Sequence, residues 1–446
     1  MTSFVTALES YGIKVNVKAA SVSSARDTSP PELNGAFQRL TASAQRSGII
    51  LVLLDNPKKN VAEHTGVKRW AEQTVGVVTV CITRGAFTNP KMSQTPAFKA
   101  NVALKFNAKL GGRNHSVPAA TKSGAGNTIV LGADVTHPRI GAMPHCPSIA
   151  AVVSSVDPEL TNYLGSMRVQ KSKQEEIADL AGMVEQRLIA YHQRNGSLPD
   201  NLLFYRDGVS DSQFDMVKTN ELPKIEAGCV QADNRLQQDI YRPKITLIVC
   251  GKRHHTRFCW TEDTDPKTWM CDRSSNFVPG LVVDDRIIRN PYTQDFYLQS
   301  HAALKGTARP CHYFVIHNGM NLSVNELQER TFALCWVFAT ALTPISYAAP
   351  AYYADRLCER RRRYLMPLLN AKSSYLSSTD LLNGFDNSTY KPDNAPNDWH
   401  LDPQWRDAKD HYACDRVAQN VIGGLWTGCN RGLPVHANLQ DKMFYI

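Results

Sequence analysis

Two apolar runs that each end on an aspartate constrain this chain more than any other feature. Residues 129–138 read IVLGADVTHP and residues 202–211 read LLFYRDGVSD. Four to six strand-forming residues followed by Asp is how a sheet delivers a carboxylate to its edge. A single such Asp is ordinarily a turn former or the cap of the next helix. Two of them can set Asp134 and Asp207 side by side, and paired carboxylates at a sheet edge suggest a metal-assisted phosphodiester site.

The remainder of the chain can bury a sheet of that kind. With 446 residues and 43% apolar content, two to three domains are expected. The longest apolar stretches, 48–54 and 75–82, are strand-length and far short of a membrane span, and the N-terminus lacks the charged-then-apolar layout of a secretion signal. Neither export nor membrane insertion is expected. Eleven cysteines, odd in number, irregularly spaced and without a Cys-x-x-Cys pair, argue against a zinc site or a disulfide framework. Reduced thiols in the cytoplasm or the nucleus are the default. The net charge of +9 is modest for this length, but it is clustered at one place, where Arg356 and Arg360 to Arg363 follow Asp355. Such a run is ordinarily a solvated face or a localisation patch; beside a phosphodiester site it turns toward phosphate contact.

Residues 49–55, a helical stretch 61–73, residues 75–82 and a helix 96–110 alternate like a small α/β unit with a parallel sheet. The last helix is well punctuated, with Thr95 to cap it, Pro96 at its first position and Gly111-Gly112 to stop it. On it, Lys105 and Lys109 share a face, as surface lysines or around an anion. Residues 113–127 turn to Pro, Ser, Gly and Asn and mark a boundary. Strands at 128–135, 148–156 and 165–170 then precede a helix at 172–193, a strand at 202–205, a helix at 211–232 and a strand at 244–250. Strands first, then helix–strand alternation, is the order of a ribonuclease H-like fold. A helix from 350 to 369 carries Asp355 near its start, and 375–411 is a polar tract with little periodicity, read as an exposed, partly disordered insertion. Adjacent residues on a strand face opposite ways, so His254 and His255 are given a structural role rather than a shared ion. His137, three beyond Asp134, is either a satisfied polar residue or a support behind a ligand.

The wording of the two Asp segments, Gly-Ala-Asp-Val-Thr-His-Pro and Tyr-Arg-Asp-Gly-Val-Ser, resembles the PIWI domain of eukaryotic Argonautes. So, in the family's order, do Lys252-Arg253-His254-His255-Thr256-Arg257, Asp295-Phe296-Tyr297-Leu298 with Ser300-His301-Ala302, Arg309-Pro310 with His312-Tyr313, and Pro350-Ala351-Tyr352-Tyr353-Ala354. The similarity runs from about Ser47 to Tyr364 and resumes weakly at the C-terminus. It implies an α/β chain with a Rossmann-like MID domain at 1–117, N-terminal linker segment included, followed by a ribonuclease H-like PIWI domain at 118–446. No part resembles an N or PAZ domain, so the MID–PIWI half of such a protein is expected.

The resemblance also implies roles. Asp134, Asp207 and Asp355 are the expected ligands of two Mg²⁺ or Mn²⁺ ions, with Asp355 standing where the family usually has His; Asp is a hard oxygen donor suited to such ions. Register from Arg168-Val169-Gln170 picks Glu175 over Glu176 as the glutamate that completes the catalytic set. Lys68, Lys105, Lys109 and Arg360 match the family's grip on the 5′-phosphate of a small guide RNA. Two positions depart from the pattern: His64 stands where a tyrosine stacks on the first base, and Val80 where glutamine is common. The segment 55–61 resembles the loop that reads that base. The implied partners are the guide, a complementary target RNA and the proteins of a silencing complex. The implied activity is target cleavage; a guide-binding platform that does not cut, and an unrelated ribonuclease H-like nuclease, stay open beside it.

Overall fold

A computed structural model of the chain describes residues 29–41, 48–55, 61–89, 95–121, 127–138, 147–237, 240–259, 276–285, 294–369 and 435–446, with a few isolated positions besides. The polar tract at 375–411 and most of the 55–61 loop lie outside the described residues.

The first unit is built as its alternation predicts. Strand β1 (Ile49–Leu54) pairs in parallel with β2 (Val78–Thr83), Ile49 opposite Val78 through Leu54 opposite Thr83. The crossover holds helix α2 (Val61–Arg69), which runs on through a π-helical turn at Trp70–Val75. Helix α1 (Pro30–Thr41) covers one side, with Leu33 and Phe37 against Trp70. Helix α3 (Pro96–Lys109) covers the other, with Val102 and Phe106 against Val80 and Ile82. Thr95 caps α3 as expected, its hydroxyl accepting the Phe98 N–H at 3.3 Å.

The second unit is an eight-stranded mixed sheet. Its strands are β3 (Thr128–Thr136), β4 (Ser148–Ser155), β5 (Tyr163–Gln170), β6 (Asn201–Asp207), β7 (Lys244–Gly251), β8 (Leu281–Val283), β9 (Asp295–Gln299) and β10 (Cys311–Asn318). They lie in the order β5-β4-β3-β6-β7-β10-β9-β8, with β3, β6 and β7 parallel and the other neighbours antiparallel. Helices α4 (Leu180–Asn195) and α5 (Leu222–Leu236) cover one face of this sheet. Helices α6 (Val324–Trp336) and α7 (Ala349–Leu369) cover the other. Two-sided burial is why the central strands read as unbroken apolar runs.

Side-chain alternation then decides where each strand's carboxylate goes. On β6, Leu202 and Phe204 pack toward α4 and α5, while Leu203 and Tyr205 pack toward α7. On β3, Ile129, Leu131 and Ala133 face α4 and α5, while Val130 faces α7. With a period of two, Asp134 and Asp207 both fall on the α7 side. Their strands are in register, Ala133 opposite Arg206, so the two aspartates follow one residue beyond the last pair on strands about 4.8 Å apart.

Two elements differ from the sequence expectation. The helix expected from 172 begins at Leu180, because residues 171–179 are held by side chains instead of a helical ladder. Gln170 Nε2 donates to the carbonyls of Gln174 and Glu176 at 2.8 and 3.0 Å, and the Ala178 and Ile177 amides donate to Gln170 Oε1 and Glu221 Oε1. Glu175 therefore sits in the irregular connection just after a turn at 171–174, not on a helix face. β7 ends at Gly251, so His254 and His255 lie in the connection beyond it; His254 Nε2 bonds the Pro310 carbonyl at 3.0 Å, consistent with its structural reading. In the arginine run, Arg360 and Arg361 are buried and Arg362 and Arg363 half-buried, which agrees with its turn away from a solvated face. No helix among the described residues is long and apolar enough to cross a membrane.

Candidate functional site

Three aspartates meet on the α7 side of the sheet. Asp134 comes from β3, Asp207 from the end of β6, and Asp355 from the second turn of α7. What lets α7 come this close is Gly132: a Cβ there would stand 2.1 Å from the Pro350 carbonyl oxygen. Any side chain would lift the helix start, and Asp355 with it, off the sheet. Burial pushes the Asp134 carboxyl up to about 8, and the charges of Asp207 and Asp355 push the same way. Asp207 rises to about 6, again chiefly through burial and then Asp355, with the Gly208 amide opposing at 2.8 Å. Asp355 is also raised by burial and by Glu359. These are carboxylates that feel one another in a dry place, the condition a bound cation relieves.

Glu175 is the fourth acid, and the connection that carries it aims it at this group. A Cβ on Gly208, whose φ is +87°, would lie 3.1 Å from Asp134 Oδ1 and 3.4 Å from Glu175 Oε1. Glycine keeps the space between the two carboxylates open and also adopts the left-handed conformation required there. Glu175 Oε2 bonds His137 Nε2 at 2.8 Å, and His137 Nδ1 bonds Ser148 Oγ at 2.8 Å. Glu175 Oε1 lies 3.1 Å from Arg206 but has no aligned hydrogen bond. Arg206 is fully buried; it pairs with Glu221 at 2.9 and 3.1 Å and donates to the Glu175 carbonyl at 2.7 Å. Glu176, by contrast, turns away to Lys224 and Asn220. Among the described residues, no three His, Cys, Asp or Glu side chains are gathered tightly enough to clasp an ion as arranged. The donors are nonetheless all oxygens, the three aspartates raised by burial and by neighbouring carboxylates, around a space that a Cβ would fill, and this fits a hard divalent cation.

The lysines and Arg360 form a second group, between the two sheets. Lys68 Nζ donates to the carbonyl and hydroxyl of Thr79 at 2.8 and 2.6 Å and lies 3.4 Å from Glu72. Lys109 donates to the Phe444 carbonyl. Arg360, from α7, pairs with Glu72 and donates to the carbonyls of Phe444 and Tyr445. Tyr364, one turn on, donates to the other Glu72 oxygen. Lys68, Lys109, Arg360 and Glu72 are all buried, whereas Lys105 reaches solvent on the same face of α3 as Lys109. Burial alone would raise the Glu72 carboxyl; Arg360, Lys68 and Lys109 reverse this and hold it at about 2. Burial and the same cations drive Lys109 well below its usual range. Burial, Arg360 and Lys68 lower His64 to about 3, so its ring is neutral. Three buried cations facing one buried carboxylate side chain leave an excess of positive charge that calls for an anion.

A Piwi domain match spans residues 49–366, more than half of the chain. The argonaute 1B protein of Oryza sativa subsp. japonica is 38% identical over 362 residues, which cover 77% of this chain and 31% of that relative. Argonaute 10 of Arabidopsis thaliana is 38% identical over 337 residues, 71% of this chain and 33% of the relative. This chain belongs to the eukaryotic Argonaute family. It spans about a third of the length of these relatives. Among solved structures, the C-terminal lobe of a budding yeast Argonaute superposes with a TM-score of 0.76 at 25% identity, covering 100% of this chain and 80% of the other. The Kluyveromyces polysporus Argonaute solved with a guide RNA superposes at 0.73 with 26% identity, covering 100% and 48%. The architecture is thus the MID–PIWI pair, with the ribonuclease H-like sheet as its second unit.

Within this Argonaute frame, Val80 is explained by its packing. It is buried against Phe106 and Ile82, in the apolar layer between β2 and α3, so that position offers no polar contact to a ligand. His64 Nδ1 is buried without a hydrogen-bond partner among the described residues. Sequence reasoning missed Glu72, though its spacing of four from Lys68 on a helix was a usable signal. It also missed Tyr347, which burial and the charges of Asp207, Asp355 and Asp134 keep protonated beside the aspartates. Lys252 sits over its ring at 4.5 Å. No spacing rule links a tyrosine to aspartates so distant in sequence.

Proposed function

We propose that this MID–PIWI module holds the 5′-phosphate of a small guide RNA in the cation cluster and cuts a paired target RNA at the aspartate cluster. The observation that carries the reading is the convergence of Asp134, Asp207 and Asp355, each from a different element, in one partly buried place beside Glu175. Asp134, Asp207 and Asp355 would hold two Mg²⁺ or Mn²⁺ ions. Bound there, such a pair would supply activation of water and stabilisation of the leaving oxygen in an in-line displacement. The protein's own part is to keep the carboxylates at hand and dry. Arg206, neutralised by Glu221, fixes the connection that carries Glu175, and His137, tied to Ser148, orients its carboxylate toward Asp134. The products would be a 5′-phosphate and a 3′-hydroxyl end.

Guide capture rests on the excess charge of Lys68, Lys109 and Arg360, with Lys105 at the more exposed side and neutral His64 available to stack on the first base. The decisive experiment loads the full chain with a 5′-phosphorylated guide and follows cleavage of a matched and an unmatched target, with Mg²⁺ and with EDTA. Cleavage of the matched target only, lost in Asp134→Ala while guide binding persists, is the expected result. Guide binding without Mg²⁺-dependent cleavage of the matched strand would sink the nuclease reading and leave a silencing platform that works through partners. Equal affinity for 5′-phosphate and 5′-hydroxyl guides would sink the guide reading itself.

A further inference from the structure

Among the described side chains, Glu72 is the one of the cation cluster whose charge opposes the ligand proposed above, and it is built in firmly. One carboxylate oxygen is held by Arg360 of α7 and the other by the Tyr364 hydroxyl one turn later, with Lys68 at 3.4 Å. Its own backbone carbonyl accepts the His436 amide at 2.8 Å, so the C-terminal segment pins the same residue. A side chain fixed at both oxygens and at its backbone cannot swing aside when an anion arrives. It stays as a negative charge among Lys68, Lys109 and Arg360, with Lys105 on the exposed side, and any anion that enters must lie beside it.

We propose that Glu72 is the residue that sets the charge of the RNA terminus this cluster accepts, matching it to a terminal monophosphate and against more highly charged ends. The inference rests on the guide-binding reading above. A phosphate monoester carries about −1.5 to −2 near neutral pH, which the surrounding cations can hold beside the Glu72 carboxylate. A 5′-hydroxyl brings no charge for them to hold. A 5′-triphosphate brings further negative charge, which meets a fixed carboxylate instead of another cation. Glu72→Gln keeps the shape and one acceptor oxygen, for Arg360, and sets an NH2 group where the oxygen facing the Tyr364 hydroxyl stood, while removing the charge; Glu72→Asp keeps the charge.

The test measures equilibrium binding of one short RNA sequence bearing a 5′-hydroxyl, 5′-monophosphate or 5′-triphosphate to the full chain and to both variants. The wild type is expected to prefer the monophosphate over both other ends. In Glu72→Gln the triphosphate should gain on the monophosphate by about tenfold, the effect of one charge at several ångströms in a partly screened site. Glu72→Asp should keep the wild-type order. A triphosphate-to-monophosphate ratio that stays within about twofold in Glu72→Gln would overturn the proposal. So would a wild type that binds the triphosphate at least as tightly as the monophosphate, a result that stands even if the Gln variant does not fold. If the wild type fails to distinguish phosphate from hydroxyl, the guide-binding reading has failed instead, and the two failures are told apart by that first comparison.

Discussion

Asp134→Asn should make the metal-free protein more stable, even though it removes a residue placed at the centre of the catalytic group. In the fold the Asp134 carboxyl is raised from an ordinary 3.8 to about 8 by burial and by Asp207 and Asp355. The sign follows from proton binding: between about pH 4 and pH 8 the folded state holds this proton more strongly than the unfolded chain, so stability falls as pH rises through that window. Near pH 7.5 the gap corresponds to at most about 5 kcal/mol, and near pH 5 to about 2 kcal/mol. Asparagine does not titrate and escapes the penalty. Urea unfolding in EDTA should therefore show the variant ahead by about 2 to 5 kcal/mol near pH 7.5, with the advantage shrinking toward pH 5. Added Mg²⁺ should stabilise the wild type more than the variant, because only the wild type has the full charge to neutralise. A variant less stable than the wild type near pH 7.5, or an advantage equal at both pH values, would refute the claim that these carboxylates repel one another in a buried site.

Two further outcomes follow from the packing. Gly132→Ala drives a methyl into the Pro350 carbonyl and should cost about 3 kcal/mol in urea unfolding while abolishing target cleavage, since Asp355 rides on the displaced helix; unchanged stability would mean α7 does not rest on β3 as described. Glu221→Gln removes the main counter-charge of the fully buried Arg206 and should cost about 3 kcal/mol, with a loss of cleavage larger than any loss of guide affinity; equal losses of both would argue against a role confined to the Glu175 connection.

Much of this was legible before any coordinates. The alternation of Leu202, Leu203, Phe204 and Tyr205 and the carboxylate after them are local properties, and the period of two sends Asp207 to a definite face once the sheet is buried on both sides. The α3 helix with its Thr95 cap was equally local. The misreadings came from side chains that act at a distance. Helical spacing of Ile177 and Leu180 suggested a helix from 172, but Gln170 and Glu221 bind the amides such a helix would need, and the connection they hold is what points Glu175 at Asp134. The arginine run was turned toward phosphate contact by its neighbourhood, but four charges in a row carry no hint that Arg360 meets Glu72, 288 residues earlier in the chain.

The chain's sequence by itself determined which strands end in carboxylates, which helices they alternate with and, through its wording, the family, because propensity, periodicity and motif are written in neighbouring residues. Only the tertiary structure decided that Asp134 is raised by burial and by two distant aspartates, how Glu175, already picked by register, is brought to them, and that a buried glutamate stands among the cations. Desolvation and Coulomb interaction depend on distance through space, and the fold alone sets those distances.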